Sequence, residues 1–315
     1  MALSTHPLMP PSNRPISRVA IRKMENYNGD LCSIVEETLR EFDLSVAGKS
    51  VLLKPNLVLG DPESVMNTHP ALIRAVRETF LRLGAKRVLI GEGPAHERDT
   101  EAILEAIRLR DWLGPSEGAF VDLNVDNVHK VALRTRASKL RSLFLPAAVL
   151  EADLVVSMPK MKTHHLAGVT LSLKNLFGIV PGSCYGWPKN VLHWAGIENS
   201  ILDLATTVRP DFAVVDGIVA MEGNGPIQGS PKHAGVLIFG DDPVAVDATA
   251  TRVMGLAPER VGYLKKAGYV LGHVQVEKIQ QIGEPITAVR SSFKVLEQFR
   301  ELIEQQGTQE TVSYS

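Results

Sequence analysis

The stretch PALIRAVRETFLRLGAKRVLIGEGPAH, residues 70–96, decides the fold. In its first half Leu72, Ile73, Val76, Phe80 and Leu83 fall on one helical face, opened by Pro70 and stopped by Gly84. Its second half is the short apolar run 88–90, which reads as a buried strand. That strand breaks off into Gly91-Glu92-Gly93-Pro94-Ala95-His96. Another apolar run, 51–53, precedes the helix. Strand, helix, strand at this spacing predicts a right-handed crossover and a parallel pair.

The same alternation extends both ways. Runs at 19–21, 154–156, 212–215 and 236–239 read as strands. Residues 31–42, 101–109 after the Asp99-Thr100 cap, and 242–254 up to Gly255 read as helices. The expected architecture is α/β: a mostly parallel sheet with helices on both faces, in two lobes around a cleft. The expected divisions are a flexible arm at 1–16, an α/β lobe at 17–205, a smaller lobe or continuation of the same sheet at 206–285, and a C-terminal helix with a disordered tail at 286–315. The basic stretch 130–141 reads as a solvated hairpin or helix face.

Composition removes several function classes. Among 315 residues, Lys plus Arg number 34 and Asp plus Glu 35, so the basic excess of a nucleic-acid or anionic-membrane binder is missing. No run of 18 apolar residues and no signal-peptide pattern occurs, so a cytoplasmic protein without a membrane partner is expected. Cys32 and Cys184 are the only cysteines, too few for a four-cysteine iron–sulfur cluster or zinc site from this chain alone.

Sites in parallel sheets gather beyond the carboxyl ends of strands. Four such ends carry polar clusters: Lys54-Pro55-Asn56, residues 91–96, PKMKTHH at 159–165, and Asp216-Gly217. Lysines there suit a carboxylate or phosphate, and a desolvated lysine can serve as base or nucleophile. Lys174-Asn175 interrupts an apolar run of Leu171, Leu173, Leu176, Phe177 and Ile179, which singles out Lys174. His96 and His164 are the expected proton carriers beside Lys174; Lys54, Asn56, Lys160, Lys162 and Asn175 are expected to hold substrate. His193, beyond the loop containing Trp187, together with Asp216 is the candidate pair for a divalent metal. His69 reads as a helix boundary, and Asp241, Asp242 and Asp247 as a helix cap and first turn.

The segments KPNLV, THPALIRA, GAKRVLIGEGP, PKMKTHHLAGVTLSLKNLFG, VVDGIVAMEGNGPIQG and DDPVAVDA together resemble the uncharacterised family called domain of unknown function 362. Its members are often fused to ferredoxin-like modules, which implies a separate iron–sulfur redox partner for a chain lacking one. The chain is also distantly similar to the N-terminal lobe of nickel-pincer lactate racemases, through His96 in GEGPAHER, His164 and Lys174 in THHLAGVTLSLKN, Pro181-Gly182 and His193. That likeness implies that His96 and His164 alternate as acid and base, that Lys174 carries the pincer cofactor, and that His193 ligates nickel. The racemases' Gly-Gly-Arg before the lysine is Leu171-Ser172-Leu173 here, and their substrate loop is Lys54-Pro55-Asn56.

The leading expectation is an enzyme performing isomerase-, racemase- or lyase-like acid–base chemistry on a small anionic substrate. The alternatives are a redox or cofactor-handling protein acting with an iron–sulfur partner, and a non-catalytic anion-binding module. A homo-oligomer is compatible with each.

Overall fold

The computed structural model describes residues 16–61, 65–114 and 119–304. The flexible arm expected at 1–16 (Ile16 aside) and the tail expected after Gln305 lie outside these residues. The strands are β1 (Ser17–Lys23), β2 (Ser50–Pro55), β3 (Arg87–Glu92), β4 (Phe120–Asp122), β5 (Val128–Ala132), β6 (Ser142–Pro146), β7 (Leu154–Met158), β8 (Lys160–His164), β9 (Gly168–Thr170), β10 (Phe212–Asn224), β11 (Gln228–Gly240) and β12 (Ile279–Gly283). Ten of them form one sheet in the order β12-β1-β11-β10-β7-β2-β3-β4, with β8 paired to β10 and β9 to β8. The pairs β2–β3, β2–β7, β3–β4, β7–β10, β8–β10 and β1–β12 are parallel. The fold is α/β on a mostly parallel, mixed sheet.

Alternation along the strands divides the core in two. Val51, Leu53, Phe212 and Val214 face a cluster with Val35, Leu39, Leu72, Val76 and Phe80, from helices Leu31–Arg40 and Pro70–Arg82. Leu52, Ala213 and Val215 face the opposite cluster with Ile201, Leu204, Ala245 and Leu264, from helices Ile197–Val208, Pro243–Val253 and Gly262–Val270. Helices therefore cover both faces, and strands buried on both sides read as continuous apolar runs. The capping residues stand where the sequence placed them. Asp99 accepts from Ala102 N, Asp242 from Val244 N, and the His69 side chain from Ala71 N.

The sequence expectation needs three corrections. The apolar run at 212–215 is the start of a thirteen-residue strand, so Asp216-Gly217 is mid-strand and not a strand end. β10 folds back antiparallel on β11, and β11 is antiparallel to β1. A register shift between Gly217 and Val219 breaks the apolar alternation, which hides the continuation from a periodicity reading. Second, residues 160–164 of the cluster expected beyond a strand end form strand β8 themselves, while strands from 17–205 and 206–285 share this one sheet, β10 bonding both β7 and β11, which is the continuation that the sequence expectation allowed. Third, 286–304 holds only the turn Ile286–Val289 and the 3-10 segment Glu297–Leu302 in place of a continuous C-terminal helix. Between these two pieces its backbone bonds to other parts of the chain, from Ser291 N to Val253 O and from Phe293 N to Met254 O. The basic stretch is the loop and flanks of the antiparallel pair β5–β6.

Candidate functional site

Parallel pairing sets Leu53 opposite Ile90, so the next residues of β2 and β3 emerge together at their carboxyl ends. There Lys54 Nζ meets Glu92 Oε2 at 2.6 Å, with both side chains essentially inaccessible to solvent. Glu92 also accepts from Leu57 N at 2.9 Å and Gly93 N at 2.8 Å. Lys54 donates to its neighbour's carbonyl, Pro55 O, at 2.7 Å and to Asn175 Oδ1 at 3.3 Å. The Asn175 amide donates to Lys54 O and Ser157 Oγ. Burial lowers the Lys54 pKa and the Glu92 carboxylate opposes that shift. Lys54, expected to hold substrate, is thus neutralised in a buried ion pair that ties β2 to the turn Ser172–Asn175. Asn175 keeps its place in the cavity wall but spends its amide on that tie.

Gly178 packs against this pair. A Cβ there would stand 2.0 Å from Glu92 Oε1 and 2.6 Å from Lys54 Nζ. Gly178→Ala is expected to destabilise the protein by about 1–3 kcal/mol through forced displacement of the pair. Urea unfolding at neutral pH measures it, and an unchanged midpoint would show that the pair yields freely.

Lys160 and Asp216 are set side by side by the β8–β10 register and bond at 2.7 Å, again fully buried. Tyr27 OH donates to Asp216 Oδ1 at 2.7 Å and receives Lys160 Nζ at 2.9 Å, while His69 N donates to Asp216 Oδ2. Neither Lys160 nor Asp216 lines the cavity that holds His193. The expected substrate role of Lys160 and the expected His193–Asp216 metal pair are therefore not assembled. Among the described residues no three His, Cys, Asp or Glu side chains come together as a metal site.

What does assemble is a cavity of about 310 Å³ beyond β2 and β3 and beside β8. His96, His164 and Lys174, the three residues expected to do chemistry, all line it, as do Asn56, Lys162 and His193. Lys174 Nζ lies 3.8 Å from the centroid of the Phe177 ring, with no hydrogen-bond acceptor among the described residues. Burial, and then the charge of Lys54, bring its pKa down to about 7. Lys162 is fully buried, donates to Met66 O at 2.9 Å, and is held well below the usual lysine range by desolvation and by its cationic neighbours Lys160 and Lys174.

Lys189, which the sequence reading passed over, completes the wall. It is 2% exposed, donates to Gly93 O and Gly178 O, and is lowered to about 7 by burial. A lysine after Trp187-Pro188 in the loop leading to His193 was its only sequence signal. Asp247 also has a part the sequence did not show. From inside helix Pro243–Val253 it reaches across to accept Ser172 N at 2.7 Å and Leu173 N at 3.0 Å, capping the turn that carries Lys174. Burial raises its pKa to about 7.

The histidines differ in what they can do. His164 Nδ1 accepts from Leu166 N at 2.9 Å and Ala167 N at 3.1 Å, so its hydrogen sits on Nε2 and the ring is a neutral donor. Desolvation and the Lys174 charge hold its pKa well below the ordinary value, which reinforces that state. An imidazole fixed this way offers a hydrogen bond and no basic lone pair, contrary to the acid–base exchange expected of it. His165 stacks on it at 4.9 Å and donates Nδ1–H to Gly225 O, leaving its Nε2 lone pair free. His96 and His165 are exposed at the mouth, and His193 is half-buried, lowered to about 4 first by desolvation and next by Lys174. Lys174 and His193, which the racemase resemblance assigns to a covalently carried nickel cofactor, share this cavity. No three His, Cys, Asp or Glu side chains group there among the described residues, so such a group would have to bring most of its ligands itself.

The sequence profile of the family described as a domain of unknown function (DUF362) matches residues 51–252. A thylakoid-associated protein of Synechocystis sp. is 30% identical over 223 residues, covering 68% of this chain; the chain spans 65% of that relative's length. Among solved structures, the lactate racemase apoprotein of Thermoanaerobacterium thermosaccharolyticum is similar over 70% of this chain and 54% of its own, at 19% identity and TM-score 0.41. A Thermotoga maritima protein is similar over 70% of this chain and 57% of its own, at 10% identity and TM-score 0.45. No helix among the described residues is long and apolar enough to cross a membrane.

Proposed function

The chain belongs to the family described as a domain of unknown function (DUF362), and from its cavity we propose an enzyme that moves protons on a small anionic carboxylate or phosphate, in isomerase- or lyase-like chemistry. One observation carries this reading: Lys174 stands in the cavity with no carboxylate partner among the described residues and a pKa of about 7. A base is most effective when its pKa lies near the working pH. At neutral pH about half of the Lys174 side chains are free amines, able to take a proton from a substrate carbon. His164 Nε2–H, held neutral by two backbone donors to Nδ1, offers a hydrogen bond to the oxygen on which negative charge then develops. His96, at the mouth and lowered by burial and by Lys174, is the proton carrier to and from solvent. Lys162 and Lys189 hold the substrate's anionic group.

Incorporation of solvent deuterium into a panel of small carboxylates and phosphate esters, followed by proton NMR in D2O, tests the reading. Exchange on at least one substrate is expected; binding across the panel with no exchange would leave only an anion-binding module. The pH dependence has a definite sign. Lys174 must be unprotonated to accept, so kcat/KM rises about tenfold per unit below pH 7, and it falls again above pH 7 as Lys189 loses the charge that holds the anion. A kcat/KM that does not rise as pH approaches 7 from below would assign the proton-taking step to another group.

A further inference from the structure

We infer that this cavity selects ligands bearing at least two negative charges, and that binding them draws protons from solvent onto its lysines. The inference rests on the proposed anionic-substrate reading and deepens it. Three lysines, Lys162, Lys174 and Lys189, line one cavity of about 310 Å³. Glu92 is the one carboxylate among the described residues that line it, and Lys54 together with two backbone N–H groups already occupies it. An ammonium carries three N–H donors. Lys162 gives one to Met66 O, Lys189 reaches Gly93 O and Gly178 O, and Lys174 faces only the Phe177 ring. Several donors thus stand without acceptors among the described residues, in a site whose one lining carboxylate, Glu92, is already paired with Lys54. Another polar group waits with them: Thr170 Oγ1 is buried in a residue 3% exposed, lines the cavity, and has no partner among the described residues. A monoanion compensates one lysine and leaves the others uncompensated. A tetrahedral oxyanion or a dicarboxylate reaches more than one.

The proton uptake follows from the same enclosure. Burial lowers all three lysines, Lys174 and Lys189 to about 7 and Lys162 in the same direction, and the charge of Lys174 adds to the lowering of Lys162 and Lys189. At pH 8 a group of pKa about 7 is roughly nine-tenths neutral. A dianion held between Lys162 and Lys189 favours their charged forms, and each of the two that recharges takes one proton.

Isothermal titration of the full chain with sodium sulfate, malonate and acetate, in two buffers of different ionisation enthalpy, tests this. At pH 8 sulfate or malonate is expected to bind at least tenfold tighter than acetate, with uptake of about one proton or more per anion. That uptake falls by pH 6, where Lys189 is already charged. A preference for sulfate places the natural ligand among phosphate-like oxyanions, and a preference for malonate among dicarboxylates. Lys189→Met is expected to weaken dianion binding at least tenfold and acetate binding less than threefold. Lys162→Met gives the same contrast if the first variant fails to fold. Acetate binding as tightly as both dianions, or dianion binding without proton uptake at pH 8, overturns the inference. Deuterium exchange on monocarboxylates without dianion binding overturns it while leaving the proposed function standing. Dianion binding with proton uptake but no exchange does the reverse.

Discussion

Lys174→Met is expected to reduce deuterium exchange by about 10²–10⁴-fold, the range that general base catalysis contributes, while the protein becomes more stable rather than less. The two effects have one cause. The lysine amine sits in a desolvated site, and its pKa of about 7 in the folded state lies below the ordinary lysine value in the unfolded chain. Between these values the unfolded chain binds more protons, so this residue's penalty on folding is full below pH 7 and fades as pH rises through the interval. Methionine removes the penalty while keeping the length of the side chain. The gain in unfolding free energy should therefore be largest at or below pH 7 and vanish near the ordinary lysine value. Denaturant titrations of wild type and variant at several pH values measure it. Lost exchange together with a lower midpoint at pH 7 would make Lys174 a packing residue whose removal damages the fold.

The second large effect concerns Glu92→Gln. It removes the charge facing Lys54 but leaves the lysine fully buried, with carbonyl and amide oxygens as its only partners. Breaking a buried ion pair from one side costs about 3–5 kcal/mol, because the other ion remains without compensation. That loss is expected in urea unfolding. The double variant Lys54→Met/Glu92→Leu should be less destabilised than Glu92→Gln alone, because neither buried ion remains. A single-variant loss below about 1 kcal/mol would mean that Lys54 is neutral in the folded protein and that the site carries one charge pair fewer.

The crossover at 70–96 was legible in the sequence because apolar periodicity and end signals agree locally: Pro70 and Gly84 bracket the helix, and the run 88–90 follows within a few residues. Lys174 was legible for a similar reason, as a charge inside an apolar run. Lys54, Lys160 and Lys162 looked alike in sequence, each a lysine at the edge of a buried strand. They differ by partner: Glu92 comes from the neighbouring strand 38 residues on, Asp216 from a strand 56 residues on, and Lys162 meets a backbone carbonyl and, among the described residues, no carboxylate. No local pattern carries that information.

The sequence by itself determined the strand–helix alternation around 51–96, the α/β class, and the gathering of lysine and histidine near the carboxyl ends of the parallel strands. These follow from side-chain periodicity and from the cost of burying charge, both properties of short stretches of chain. Only the tertiary structure decided which cations are neutralised, which face an open cavity, and which nitrogen of His164 holds the proton. It also brought in Lys189 and the cap that Asp247 provides. Those outcomes depend on strand register and on contacts between distant residues, and in a desolvated site the nearest counter-charge or backbone donor sets what a titratable group can do.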